Sequence, residues 1–181
     1  LTLAEWRAAG WRFPASVNLT MRDLRNASLP EDVLALLHSS EVDPEQLRIE
    51  ITESTIMADP RQTMDVVKRL QQHGVAFCID DFGTGYSSLA YLKELPAHEI
   101  KIDKSFVLDL LRDDNDAVIV RSVIDLAHNL GRITVAEGVE DHQVWDRLSA
   151  WGCDQGQGFY MGRPMPAKEL ATWLVDSPYG L

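Results

Sequence analysis

The sequence predicts an α/β protein built on a parallel sheet, and three observations lead to that prediction. Short apolar runs typical of strands alternate with segments of helical periodicity along the chain. No linker rich in Gly, Ser or Pro interrupts this alternation, so we expect a single domain over residues 1–181. The composition, 45% hydrophobic and 25% charged, is typical of a globular domain. Repeated βα units of this kind favour parallel strands.

Each predicted element of the first half begins or ends at a recognisable signal. Gly10 ends the first helix. Ser28 and Glu31 form a predicted capping box for the second helix, and Asp59 before Pro60 caps the third. The helices are predicted at residues 2–9, 30–38 and 60–73, and the strands, which are short apolar runs, at 16–19, 47–52 and 75–79.

The second half continues the same alternation. Pro96 stops one helix, and Gly131 and Gly152 close two more. The helices are predicted at 87–95, 117–130, 144–151 and 167–175, and the strands at 99–102, 133–136 and near 156. The six strands are two fewer than a closed (β/α) barrel contains. The alternatives are an open doubly wound sheet and a barrel without its first quarter.

Charge and composition exclude several classes of protein. With a net charge of −11, the chain does not offer the clustered cations that bind long nucleic acid, although a small phosphate ligand bridged by metal ions is compatible. No apolar run approaches the ~20 residues of a membrane-spanning helix. The first residues do not resemble a secretory signal, and the chain does not begin with Met, so we expect it to be part of a longer protein. Cys78 and Cys153, far apart and without a CxxC motif, favour reduced cysteines in a cytosolic protein.

Polar side chains stand in or after every predicted strand. Because binding groups of parallel α/β proteins gather at the carboxyl ends of the strands, we expect these side chains to share one site. They are Asn18, Glu50, Asp80, Asp81, Lys101, Glu137 and Gln157. Each one alone has an alternative interpretation as a helix cap. As a set, their carboxylate and amide oxygens favour Mg²⁺ or Mn²⁺ over zinc.

Two features of this set have alternative interpretations. Lys101 is either a base of lowered pKa that helps to deprotonate a metal-bound water, or one partner of a plain salt bridge to Asp80 or Asp103. The segment 80–89, with glycines at 83 and 85, is interpreted as a mobile loop over the site, and an ordinary strand-to-helix turn is the alternative.

The motifs in this chain identify a family. They are Val17-Asn18-Leu19-Thr20, Glu50-Ile51-Thr52-Glu53, the loop 80–89, Lys101-Ile102-Asp103, Ala136-Glu137-Gly138-Val139-Glu140, and Gln157-Gly158-Phe159 before Arg163-Pro164. In this order the chain resembles the EAL-domain phosphodiesterases of bacteria. The resemblance implies a TIM-like barrel and metal-dependent hydrolysis of cyclic di-GMP to linear 5′-phosphoguanylyl-guanosine.

The resemblance also implies a role for each site residue. Metal ligands would be Asn18, Glu50 and Asp80 for one ion, and Asp80 with Asp81 for a second, the ions being Mg²⁺ or Mn²⁺. Glu137 would support the metal and its water, Lys101 would polarise or deprotonate that water, and Gln157 would orient it. Supporting roles fall to Glu53, which would hold the loop, and to Glu140. No substrate-binding residue is assigned.

One departure from the family is expected. The Glu-Ala-Leu signature belongs to the first barrel strand, which has no counterpart here, so the sequence resembles the C-terminal three quarters of the domain. A catalytically inactive receptor for cyclic di-GMP, or an interaction module, is therefore the alternative function, and another Mg²⁺-dependent barrel is a third. The resemblance further implies a homodimer through helices near 81–95, a linked sensory or GGDEF-type domain, and a cytoplasmic location.

Overall fold

A computed structural model describes residues 2–85 and 89–179 of the chain. The helices are α1 (Thr2–Ala8), α2 (Met21–Leu24), α3 (Leu29–Ser39), α4 (Glu53–Ala58), α5 (Pro60–Gln71), α6 (Leu89–Glu94), α7 (Lys104–Leu108), α8 (Asp114–Asn129), α9 (His142–Ala150) and α10 (Ala167–Asp176). The strands are β1 (Ala15–Asn18), β2 (Leu47–Thr52), β3 (Ala76–Phe82), β4 (Glu99–Ile102), β5 (Ile133–Glu137) and β6 (Gln155–Gln157).

The six strands form one parallel sheet in the order of the chain, β1 to β6, and the sheet curls into a partial barrel. This confirms the α/β prediction and the incomplete TIM-like barrel. Within the described residues, β1 and β6 each pair with a single strand, so they are the two edges of the sheet. No helix in the part of the chain described here is long and apolar enough to cross a membrane.

The hydrophobic core lies between the outer face of the sheet and the helices. Ile79 of β3, Ile100 and Ile102 of β4 and Leu70 of α5 are all buried in this core. Because successive side chains of a strand point to opposite faces, the residues between these positions face the barrel interior. This alternation places Lys101 inside the barrel, and likewise Glu50 and Asp80 on their strands.

Several helix starts differ from the prediction. α8 begins three residues and α9 two residues earlier than predicted. The capping box expected at Ser28 and Glu31 is wrong, because the Ser28 hydroxyl donates to Asp32 Oδ2 at 2.7 Å instead. A reciprocal cap exists earlier, where Asp23 Oδ2 accepts from the backbone N–H of Thr20 at 2.9 Å and from its hydroxyl at 2.6 Å. That cap starts α2, a short helix that the sequence analysis did not predict.

Two more short helices were not predicted, and each begins directly at a strand end. Thr52 caps α4 by accepting from Thr55 N at 3.3 Å, and Asp103 caps α7 by accepting from Ser105 N at 3.0 Å. β3 ends three residues later than predicted and includes Asp80 and Asp81. The predicted loop 80–89 therefore begins as a strand, and its residues 86–88, with the predicted start of the helix at 87, lie outside the described residues.

Candidate active site

Four adjacent strands bring one lysine and three carboxylates together inside the barrel. Lys101 Nζ of β4 lies 3.0 Å from Glu50 Oε2 of β2 and 2.9 Å from Asp80 Oδ1 of β3. It also lies 2.5 Å from Glu137 Oε1 of β5. These four residues are called the Lys101 cluster below. The structure thus confirms that strand-end residues separated by up to 87 positions of sequence share one site.

The strand pairing explains why these side chains meet. Parallel strands end at the same edge of a sheet, and their alternate residues face the same side. Glu50 is aligned with Cys78, two residues before Asp80, and Lys101 is aligned with Val135, two residues before Glu137. In these two strand pairs, the polar side chain of the later strand therefore lies two residues further along the barrel axis.

Lys101 is charged in this arrangement. Its side chain is only 7% exposed, and its carboxylate partners are between 12% and 16% exposed. Burial disfavours the ammonium ion, but hydrogen bonds and charge from Glu137 and Asp80 outweigh burial and raise the pKa of Lys101. The predicted salt bridge between Lys101 and Asp80 is present. The role of Lys101 toward a metal-bound water stays a prediction. Asp103, the other proposed partner, instead caps α7.

Asp81 joins the site through an unusual backbone conformation. In a regular strand its side chain would point away from that of Asp80. Its φ angle of 52° lies in the left-handed region, and the register of β3 with β4 shifts between Ile79 and Phe82. Asp80, Asp81 and Glu137 each offer a carboxylate oxygen, and these oxygens all lie within 4.8 Å of one another. Burial, then the negative charges of Asp80 and Asp103, raises the pKa of Asp81.

These acidic residues fit a divalent metal ion. Hard cations such as Mg²⁺ and Mn²⁺ take carboxylate oxygens as ligands, and three such oxygens converge here. Adjacent carboxylates repel each other unless a cation lies between them, and this repulsion adds to burial in raising the pKa of Asp81. The site therefore has the donor chemistry and the excess negative charge that a metal ion requires.

Glu53 holds the segment that follows β3. Its side chain is buried at 2% exposure, and Oε2 accepts from the backbone N–H groups of Gly83 at 2.9 Å and Gly85 at 3.3 Å. A Cβ on Gly85 would lie 3.1 Å from the Glu53 carboxyl group, so glycine leaves room for the close approach. This contact agrees with the expected role of Glu53 as the residue that holds the loop.

Three predicted site residues lie at the correct end of the barrel without joining the Lys101 cluster. Asn18 is aligned with Glu50 on β1, and Gln157 is aligned with Glu137 on β6. Both side chains are exposed, as is that of Glu140. Within the described residues, none of the three forms a hydrogen bond or ion pair with the cluster. Their expected roles toward metal and water therefore remain predictions.

A cavity of about 440 Å³ opens beside Glu137 and extends the site toward the end of β6. Its lining includes Glu140, Gln157, Lys104, Leu108 and Phe159. The sequence analysis did not single out Lys104 or Leu108. The available signal was their position in the segment directly after β4, where residues of a parallel sheet border the site.

Comparisons with known proteins agree with this description. The EAL domain family model matches residues 2–164. A protein of Pseudomonas aeruginosa named a cyclic di-GMP phosphodiesterase is 37% identical over 95% of this chain. MucR of the same organism, named a bifunctional diguanylate cyclase and cyclic di-GMP phosphodiesterase, is 42% identical over 92% of the chain. A solved structure of the MucR phosphodiesterase in complex with c-di-GMP has a TM-score of 0.90 and 41% identity, covering 93% of this chain and 69% of that one.

The two curated relatives are much longer than this chain. The match covers 29% of the length of the first and 23% of MucR. The comparison therefore concerns the part of each relative that resembles this domain.

Proposed function

The chain belongs to the EAL domain family, and we propose that it acts as a phosphodiesterase domain that hydrolyses cyclic di-GMP to linear 5′-phosphoguanylyl-guanosine. The names of its relatives support this substrate, since both include cyclic di-GMP phosphodiesterase. The proposed domain comprises residues 1–181, the C-terminal three quarters of an EAL barrel.

The observation that carries the proposal is the convergence of acidic oxygens beside a buried cation. Asp80, Asp81 and Glu137 present oxygens within 4.8 Å of one another, and Lys101 contacts two of these three residues. A phosphodiester carries negative charge that increases in the transition state, so hydrolysis requires positive charge at the reacting group. The negative residues alone would repel the substrate, which is why we propose that the domain acts with bound Mg²⁺ or Mn²⁺.

We propose ligands for two ions. One ion would be held by Asn18, Glu50 and Asp80, and the other by Asp80 and Asp81. When bound, such a pair of ions activates a water molecule and stabilises the leaving oxygen. The carboxylates of this chain would hold the ions, and Asp80 belongs to both proposed ligand sets. Asn18 contributes a neutral oxygen from the edge strand β1.

The other predicted residues orient and polarise the reacting groups in this proposal. Lys101 would polarise or deprotonate the attacking water from the centre of the Lys101 cluster, where it contacts Asp80 and Glu137. Glu137 supports the metal and its water, and Gln157 orients that water from β6. Glu53 holds the loop in place, and Glu140 supports the site from the cavity wall.

Partners follow from the same proposal. The name of MucR includes diguanylate cyclase, so we propose that this domain is linked to a GGDEF-type or sensory domain in its parent protein. On α6, Leu89 is 62% exposed and Tyr91 is 38% exposed, and we propose that they contribute to a homodimer. Two free, buried thiols, Cys78 and Cys153, support a cytoplasmic location for the domain.

A chromatographic assay of this chain with cyclic di-GMP and Mg²⁺ or Mn²⁺ tests the proposal. We expect linear dinucleotide from the unaltered chain and from Glu94→Gln, an exposed control on α6. Glu50→Gln keeps the side-chain shape and removes one carboxylate from the cluster, so we expect it to be inactive. Binding of cyclic di-GMP and metal with no cleavage, by this chain and by the parent protein, would replace the phosphodiesterase with a receptor.

A further inference from the structure

A single ammonium ion occupies the centre of the proposed metal site. Lys101 Nζ lies between 2.5 and 3.0 Å from oxygens of three different carboxylates, which come from β2, β3 and β5. A lysine ammonium has three N–H donors. Lys101 donates a hydrogen bond to Glu50 Oε2 and forms close ion pairs with Asp80 and Glu137, so all three carboxylates lie against one cation.

Two of these partners are also the candidate metal ligands. Asp80 and Glu137 offer oxygens to Lys101 and belong to the group of acidic oxygens that lie within 4.8 Å of one another. The third partner, Glu50, is a proposed ligand as well. A metal ion and the Lys101 ammonium therefore require the same carboxylates, and two cations at such short distances repel each other.

We propose that Lys101 is a tethered counter-cation, which holds the carboxylates together in the metal-free domain and competes with metal ions for them. This role rests on the proposed function, because it concerns the same site, and it adds a control on metal affinity to the proposed part of Lys101 in the reaction. It predicts that the metal-free barrel end is already assembled, and that metal binding changes the partners of Lys101.

Burial makes the competition strong. The Lys101 side chain is 7% exposed and its partners are at most 16% exposed, so little water screens the interaction. Removing the ammonium leaves three carboxylates facing one another with no positive charge between them. Such a site loses stability when empty and attracts a divalent cation more strongly.

A role limited to the chemical step gives a different expectation. If Lys101 acted only on water or substrate, its removal would stop hydrolysis and leave metal affinity unchanged. Measurements with metal ions alone, without cyclic di-GMP, therefore separate the two roles. They also separate this inference from the proposed function, because a domain that binds metal as expected and fails to cleave cyclic di-GMP overturns only the latter.

The experiment is calorimetric titration of the EDTA-treated chain with MnCl₂, together with thermal unfolding with and without metal. In Lys101→Met we expect a lower Tm without metal, a larger rise in Tm with metal, and Mn²⁺ affinity increased by about tenfold or more. Lys101→Arg, which keeps the charge, should remain closer to the unaltered chain. Mn²⁺ affinity of Lys101→Met equal to or weaker than that of the unaltered chain, or no binding by either, overturns the proposal.

Arg48→Met provides a matched control. Arg48 forms an ion pair with Glu99, whose side chain is 6% exposed, also inside the barrel but outside the Lys101 cluster. Its removal should lower stability without changing Mn²⁺ affinity. An equal gain of affinity in Arg48→Met would show a general loss of positive charge and would contradict a specific role of Lys101.

A measurement on the unaltered chain keeps the inference testable if Lys101→Met does not fold. The chain contains five lysines, so ¹³C labelling of their Cε atoms gives few NMR signals. Titration with Mg²⁺ should shift the Lys101 signal and leave those of the exposed Lys68 and Lys93 in place. A stationary Lys101 signal while calorimetry records Mg²⁺ binding overturns the proposal.

Discussion

Replacing Glu53 with Gln should loosen the segment after β3 without disturbing the fold. The carboxylate oxygen Oε2 accepts from Gly83 N at 2.9 Å and from Gly85 N at 3.3 Å. Glutamine keeps the size of the side chain and can still offer a carbonyl oxygen at the same place. The change therefore weakens two hydrogen bonds by removing the charge of their acceptor.

The magnitude follows from these two contacts. A hydrogen bond to a charged group contributes about 1.5–3 kcal/mol, against about 0.5–1.5 kcal/mol for a neutral one. Two bonds should therefore lose roughly 2–3 kcal/mol together, with the longer bond to Gly85 losing less. If these bonds limit local opening, that loss corresponds to roughly 30- to 150-fold faster exchange of the two amides.

Amide hydrogen exchange followed by NMR measures this effect at Gly83 and Gly85 directly. Amides in the core strand β4 should keep their protection, which separates local opening from global unfolding. Glu94→Gln, an exposed substitution on α6, is the matched control and should change neither amide. Unchanged exchange at both glycines in Glu53→Gln would refute the assignment of Glu53 as the anchor of this segment.

Three further substitutions test the packing described above. Leu70→Ala in the fully buried part of α5 should cost about 2–5 kcal/mol in urea unfolding with unchanged secondary structure, and a loss below about 1 kcal/mol would contradict this core position. Gly158→Ala should cost about 3 kcal/mol in the same assay, because its Cβ would lie 2.1 Å from a backbone oxygen; a neutral effect would contradict that close approach. Asp154→Asn tests pH dependence: burial opposes ionisation of Asp154, but hydrogen bonds led by the one to His128 outweigh burial and lower its pKa. The ionised form of Asp154 therefore stabilises the fold at pH values above the pKa of Asp154 in the unfolded chain. The difference in Tm between Asp154→Asn and the unaltered chain should be largest near pH 6 and shrink below about pH 4. A difference in Tm that grows on acidification would contradict a lowered pKa of Asp154.

Much of the fold could be predicted because its signals are local. The apolar runs of β2 and β4 gave their bounds correctly, and Asp59 caps α5 as predicted, accepting from Gln62 N at 3.0 Å. The short helices α4 and α7 were missed because they start at strand ends, where Thr52 and Asp103 also fit a turn. The capping box at Ser28 was wrong because the Ser28 hydroxyl bonds Asp32, while Glu31 forms an ion pair with Arg69.

The residues of the site could be predicted from the sequence, but the contacts between their side chains could not. Strand-end positions correctly brought Glu50, Asp80 and Glu137 to one place, since parallel strands share an edge. The partners of Lys101 depend on the register between strands far apart in sequence, which periodicity does not determine. The shared orientation of Asp80 and Asp81 was equally hidden, because it depends on a backbone conformation that a regular strand excludes.

The left-handed backbone conformation of Asp81 opposes stability to function at this position. At a φ of 52°, a residue with a side chain is strained and glycine is not. Selection for heat resistance alone would therefore favour Asp81→Gly, which relaxes the backbone and removes a carboxylate from beside Asp80. A laboratory evolution experiment that selects only for folded protein would enrich variants with a more stable barrel and a weaker metal site. A screen at this position should therefore measure metal binding as well as the yield of folded protein.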